Sequence, residues 1–382
     1  MVLSMSIVTA KIGIRLEVLT PVHVWSGESL TYGIDYCISD GELIYLEPLK
    51  LLEKYPKKTF FCDTSEVLKR EKPYIKNIAK IYGSVSHRPS ELKRHIMITL
   101  QNNRTLRVIP PSTVKGLIRT AFLYHFLKQD EKWRNAIVRG IERELSLLDQ
   151  IRDTRELRRE IKKLSNKTVE NIVRFDIVED RYRYTLDAFN RLIIQLIDVE
   201  NYAEGTRLVH IKQIRDTELS SSIPPILLET IEPQTIFRYI LLFQKTHDFH
   251  VTRKYLKDIT WKYGFITPSN VVDSVIEFSK DTINYELSRI SGISELYHYR
   301  ETLQGFLSDM KGNNDVAYVR IGAYTGHKFK TINLLLPDRI SKKLSRIMQR
   351  VYGHLWDDKT VKVTEYNGDL VGFGWVRMRF LT

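Results

Sequence analysis

Cysteine is almost absent: the chain of 382 residues has two, Cys37 and Cys62. They form no CxxC pair, so neither a structural zinc site nor a disulfide framework is expected. Histidines are scattered, and the one tight pair, His247 and His250, lacks a neighbouring third ligand. No metal and no cofactor are expected. Long apolar runs are missing as well, none reaching the about 20 residues that span a bilayer. The start, MVLSMSIVTAKIGIRLEV, has no charged leader followed by an apolar segment and a cleavage site. The expectation is a retained, cytoplasmic protein with no membrane partner. Acidic residues are the last scarcity. Against 59 Lys and Arg stand 46 Asp and Glu, a formal net charge of +13. That balance favours polyanionic partners. With 43% hydrophobic and 27% charged residues, the chain is otherwise an ordinary globular protein, long enough for two domains.

What is present reads as alternating strands and helices. Ile12, Ile14, Leu16 and Val18 share one face of a half-buried strand that stops at Thr20-Pro21. Residues 34–46 form a hairpin pattern about Asp40-Gly41. Residues 64–103 show no secure organisation. Pro110-Pro111 opens a helix that Ser112 or Thr113 can cap, with Val114, Leu117, Ile118, Ala121 and Leu123 as its apolar stripe. Residues 131–167 are dense in mixed charge with apolar residues at helical spacing, a solvated helical hairpin inserted into a domain. Ser220 to Pro225 is the best linker. Extended runs follow it, then a helical stretch over 271–308 and strands at 317–323 and 371–380. The expected fold is α+β, two split βαβ domains: residues 1–222 with the helical insertion, and residues 223–382 with a glycine loop.

Several segments carry candidate chemistry. Lys115 and Arg119 lie four apart on one face of the helix start. Cations there oppose the helix dipole by tenths of a kcal/mol, unless a phosphate binds the free N–H groups. An ordinary helix with two solvated cations accounts for them equally well. Arg320, Gly322, Gly326, Lys328 and Lys330 form a second group, with Tyr324 and Phe329 as stacking faces. It is not a Walker loop, because the Gly-Lys-Ser/Thr ending is absent. The third is the last strand, where Val376, Met378 and Phe380 point to a core. Phe373, Trp375, Arg377 and Arg379 then fall on the other face, as unpaired nucleotides require. His23, beyond the first strand, is an RNA contact, a general base or a packing residue. Glu28 and Asp35 nearby form no dyad, and Asp176, Glu179, Asp180 and Asp187 match no metal pattern.

These segments occur in a familiar order. The stretches Leu16 to Gly27, Pro110 to Arg119, Phe175 to Asp180, Glu229 to Phe237, Arg320 to Thr331 and Gly372 to Trp375 carry the resemblance. The chain resembles the repeat-associated mysterious protein (RAMP) superfamily of CRISPR-associated proteins, and within it the fifth Csm subunit of type III effector complexes. Two positions depart from the family pattern: Trp25 and Pro111 each stand where a loop glycine is usual. The resemblance implies two ferredoxin-like, RRM-related domains and a non-enzymatic role. Such a subunit binds crRNA, caps the filament at the guide 3′ end, supports maturation of that end, and packs on the repeated backbone subunit with target RNA nearby. His23, Lys115, Arg119, the 320–331 loop, Trp375, Arg377 and Arg379 then become candidate RNA or subunit contacts. A rival from the same superfamily is the repeat-processing endoribonuclease, with His23 and Lys115 or Tyr32 as acid and base. Another is a different subunit, either the 5′-tag unit or a backbone unit with Asp35 as catalytic aspartate.

Overall fold

The computed structural model describes residues 7–47, 75–82, 91–100, 103–164, 174–220, 225–245, 266–352 and 360–381, apart from a few positions within these spans. Cys62, Asp180, His247, His250 and most of the expected linker at 220–225 lie outside the described residues.

The central strand is β1 (Ile7–Val18), whose alternation buries Ile12, Ile14, Leu16 and Val18. It pairs antiparallel with β15 (Ile236–Lys245) on one side and β19 (Trp375–Leu381) on the other. Strand β11 (Leu192–Glu200) extends the sheet beyond β15, and β16 (Val316–Arg320) extends it beyond β19. The register sets Met378 beside Leu16 and Phe380 beside Ile14, so both strands bury the same face. Arg15, Glu17, Arg377 and Arg379 share the other face.

The helices are α1 (Pro111–Gln129), α2 (Glu131–Gln150), α3 (Thr154–Leu164), α4 (Pro268–Ile290), α5 (Tyr297–Gly312) and α6 (Asp338–Tyr352). Val114 and Ile118 of α1 join Val271 and Val275 of α4 in one core with the buried face of the first sheet. Helix α1 starts at Pro111 with Pro110 as its N-cap residue and no side-chain cap bond. Ser112 and Thr113 therefore sit inside the first turn and do not cap it. Thr113 and Val114 donate instead to the Pro110 carbonyl.

A second sheet follows the order β2 (Trp25–Thr31), β6 (Glu91–His95), β14 (Ile226–Ile231), β12 (Glu204–Arg215), β5 (Ile75–Tyr82), β4 (Glu42–Leu46), β3 (Tyr36–Ser39). Strands β13 (Glu218–Ser220), β17 (Thr360–Tyr366) and β18 (Asp369–Gly372) join it through β12. Short ribbons pair β7 (Met97–Thr99) with β8 (Thr105–Arg107), and β9 (Arg174–Glu179) with β10 (Tyr182–Asp187). The expected hairpin is β3–β4, with Gly41 at φ +77° in its turn. Both sheets draw strands from either side of residue 222, because β1 is completed by β15 and β19, and β12 by β14 and β17.

Helices α2 and α3 match the expected hairpin, but they do not stand alone. Val138, Leu145, Leu148 and Leu157 close on Ile340, Ile347 and Val351 of α6. The result is a three-helix appendage with its own apolar seam. Cys37 is fully buried on β3.

Candidate functional site

Three segments singled out from the sequence meet at one junction. Past β1 the chain turns at Thr20-Pro21, and the Thr20 hydroxyl accepts from the Trp375 N–H at 2.8 Å. The Gly374 N–H donates to the Pro21 carbonyl, the Ile321 N–H to the Gly374 carbonyl, and the Ala323 N–H to the His23 carbonyl at 2.7 Å. The close approach needs glycine. Gly322 has φ +89°, and a Cβ there would lie 2.3 Å from the His23 carbonyl oxygen. Gly374, at φ +90°, would place a Cβ 2.4 Å from Thr325 Cγ2. Helix α1 reaches the same loop, since the Thr120 hydroxyl donates to the Lys330 carbonyl at 3.3 Å. The helix start bearing Lys115 and Arg119, both half-buried, is thereby tied to the glycine loop.

Four side chains expected on nucleotide-facing surfaces, Trp375, Phe373, Arg320 and Lys328, are buried instead. Trp375 is fully buried: its indole N–H donates to the Tyr299 hydroxyl at 2.8 Å, and its ring packs on Phe306 and Phe329. Strand parity does put it with Arg377 and Arg379, but α5 covers that end of the face. Phe373 is likewise fully buried. Arg320 is only 3% exposed. Its guanidinium donates to the Phe373 carbonyl at 2.9 Å, to Glu286 Oε1 at 3.2 Å and to the Lys362 carbonyl at 3.2 Å, and lies over the Phe329 ring. Arg320 is a buried tie between α4 and the second sheet. Lys328 is also buried, with Nζ donating to the Asn333 carbonyl at 3.2 Å.

The cations left at the surface are fewer. Lys330 is exposed, with Arg320 and Lys362 the charges that act on its ammonium. Desolvation, reinforced by those two charges, lowers it to about 8. Arg377 and Arg379 line the open face of the first sheet as expected. Arg377 Nη2 donates to Glu17 Oε2 at 2.6 Å, and Arg379 faces Asp315 at 3.8 Å. Arg15 and Arg238 extend this basic row, register-paired across β1 and β15.

His23 is fully buried, which corrects its reading as a surface RNA contact. Its Nδ1 lies 2.7 Å from the Glu229 carbonyl, which can only accept, so Nδ1 carries the proton. Nε2 is buried with no hydrogen-bond partner among the described residues. His95 packs edge-on at 5.5 Å, with Nδ1 accepting from the Val24 N–H and Nε2 donating to the Val108 carbonyl. Burial is the main cause that lowers His23 to about 4 and His95 to about 3. Below the ordinary value of 6.5 the unfolded chain binds protons that these rings refuse. Stability is therefore full above that value and declines as pH falls towards 4 and then 3. For His23 alone the loss is about 3 kcal/mol. Thermal melts from pH 7.5 to 4 check this, and His23→Gln should flatten part of the decline.

Beneath the histidines lies a cluster with no local signature in the sequence. Glu229, 2% exposed, accepts from the Tyr45 hydroxyl at 2.8 Å and the His95 N–H at 2.9 Å, and faces Arg107 at 3.4 Å. Glu232, also buried, accepts from Arg207 at 2.6 Å and from the Thr230 hydroxyl at 2.7 Å. A cavity of about 490 Å³ opens beside them, with Tyr45, Lys80, Tyr82, Arg94, Arg107 and Glu229 in its wall. The two glutamates belong to the stretch 229–237, but His95 comes from residues 64–103, which show no secure organisation in the sequence. Asp35 closes a local turn by accepting from the Thr31 N–H at 2.8 Å. Among the described residues no three His, Cys, Asp or Glu side chains gather as a metal site, and no helix is long and apolar enough to cross a membrane.

The whole architecture has solved counterparts in the Csm proteins of type III CRISPR systems. It matches a chain of the Csm–crRNA–target RNA ternary complex of a type III-A system, determined by cryo-EM, with TM-score 0.61 and 18% identity. That match covers 96% of this chain and 100% of the other. It also matches the crystal structure of T. onnurineus Csm5, with TM-score 0.53, 17% identity, and coverage of 95% and 99%. At these identities the likeness is one of α+β fold. No family model and no curated protein matches the chain.

Proposed function

We propose that this chain is a non-catalytic, crRNA-binding subunit of a type III CRISPR effector complex, seated at the 3′ end of the guide and supporting maturation of that end. The observation that carries the reading is the end-to-end match in fold to a chain of a Csm–crRNA–target RNA complex. The two sheets are read as two ferredoxin-like, RRM-related units fused through the junction of β1, the glycine loop and β19. Lys115, Arg119, Lys330, Arg377 and Arg379 are the cations proposed to meet RNA or the repeated backbone subunit. Gly322 and Gly326 shape the loop between them. Arg320, Lys328, Trp375 and His23 support these elements from within.

Reconstitution tests the reading. Omitting this chain from the complex should change the crRNA 3′ ends, as read by sequencing the bound RNA. Unchanged complexes and 3′ ends would remove the cap assignment. Specific cleavage of repeat RNA by the purified chain, abolished in His23→Ala, would replace it with the endoribonuclease reading. On isolated RNA, Lys330→Gln should make log K less steep in log salt by about 0.7. An unaltered slope would mean that Lys330 makes no phosphate contact.

A further inference from the structure

The net charge of the chain is unevenly placed. Lys and Arg stand four against four acids on α2, five against two on α3, and five against one on α6. These three helices thus hold a net +7 of the chain's +13. The hairpin alone reads as a mixed-charge solvated surface. Helix α6, which arrives from far along the chain, turns it into a basic one.

The packing arranges these cations. The contact between α2 and α6 is an apolar seam edged by a polar row, in which Arg339 pairs with Glu142, Lys343 donates to Ser146, and Arg350 pairs with Asp149. At 100° per residue, Lys132, Arg139 and Arg143 fall together on α2 just outside that row. Lys342 and Arg346 fall on the α6 side of it. All five are exposed, and none makes a hydrogen bond or ion pair to the described residues. Two rails of uncommitted cations therefore flank a neutralised seam. Leu147 is the one large apolar side chain exposed on the three helices, among the described residues. A protein partner would call for an apolar or aromatic centre, whereas a phosphate backbone needs only charge.

We propose that the α2–α3–α6 appendage is a second nucleic-acid surface, separate from the loop and sheet assigned above, which binds RNA phosphates without reading sequence. Single-stranded and duplex RNA share that chemistry. The test uses the full chain with Arg139, Arg143, Lys342 and Arg346 changed together to Gln, a good helix former that leaves the seam intact. Binding of a labelled 20-nucleotide oligouridine and of a 20-base-pair RNA duplex is followed against KCl by fluorescence anisotropy. The quadruple variant should bind one or both more weakly, and for the single strand the salt slope should drop by up to about 3, at about 0.7 per lost contact. The arm that changes more identifies the strandedness of the ligand. Unchanged affinity and slope in both arms, with unchanged melting temperature, overturns the proposal. So does an equal loss of binding to polyglutamate, which would mark the surface as a dock for acidic protein. Lys330→Gln separates the two readings: a loop effect without an appendage effect sinks only this inference, and the converse sinks only the loop assignment.

Discussion

Arg320→Ala is expected to lower stability by about 3–5 kcal/mol, the cost of leaving one member of a buried ion pair without its partner. The guanidinium is enclosed by Phe329, Trp375 and the Glu286 carboxylate, and two of its three hydrogen bonds go to the Phe373 and Lys362 carbonyls. Its loss removes one tie between α4 and the second sheet, where Arg289 still donates to the Thr360 carbonyl, and leaves the Phe373 and Lys362 carbonyls without this donor. Glu286 keeps Arg289 at 2.7 Å and the Tyr299 hydroxyl at 3.2 Å, which softens the effect. Arg377→Ala removes a half-exposed pair with Glu17 and should cost about 1 kcal/mol or less. Urea titrations of the two variants separate a buried tie from a surface cation. Equal midpoints would mean that Arg320 does not carry the packing assigned to it.

Gly322→Ala should cost about 3 kcal/mol or more. A methyl group would have to enter a space where backbone oxygen already lies 2.3 Å away, at a φ of +89° that disfavours side chains. The hydrogen bond from Ala323 to His23 would open with it. Gly326→Ala is the internal control. It shares the positive φ, at +93°, but a Cβ there meets only the Phe329 ring at 3.5 Å. Its cost should stay near 1–2 kcal/mol, the ordinary penalty of a left-handed alanine. Melting temperatures and hydrogen exchange at the Ala323 N–H report both. A tolerated Gly322→Ala would show that the loop does not dock on the His23 turn.

The features legible in the sequence are those with local causes. Alternation marked β1 and β19, periodicity marked α1 to α3, and paired glycines marked a loop requiring positive φ. The illegible features depend on what arrives from elsewhere. Trp375 has the parity of Arg377 and Arg379, yet Tyr299 and Phe306 of α5 roof it over. Arg320 reads as a loop cation because nothing nearby in the chain announces Glu286. Arg107 and His95 come from a stretch without periodicity, and Glu229 becomes their partner only when β14 pairs beside β6. The charge of α2 and α3 reads as mixed in sign, and the α6 cations that make the appendage strongly basic come some two hundred residues later.

The central strand has one consequence for synthesis. Glu17 and Arg377, bonded across β1 and β19, are 360 residues apart in the chain. At the pace of translation, β1 therefore spends nearly the whole of elongation with one edge unpaired, and non-local pairing of this kind is slow to form. A strand left open that long, with Ile12, Ile14 and Leu16 along it, is a point at which a chaperone or a partner's strand can intervene. Ribosome-bound chains halted before residue 375 should stay sensitive to protease within β1, and the sensitivity should vanish only once β19 has cleared the exit tunnel.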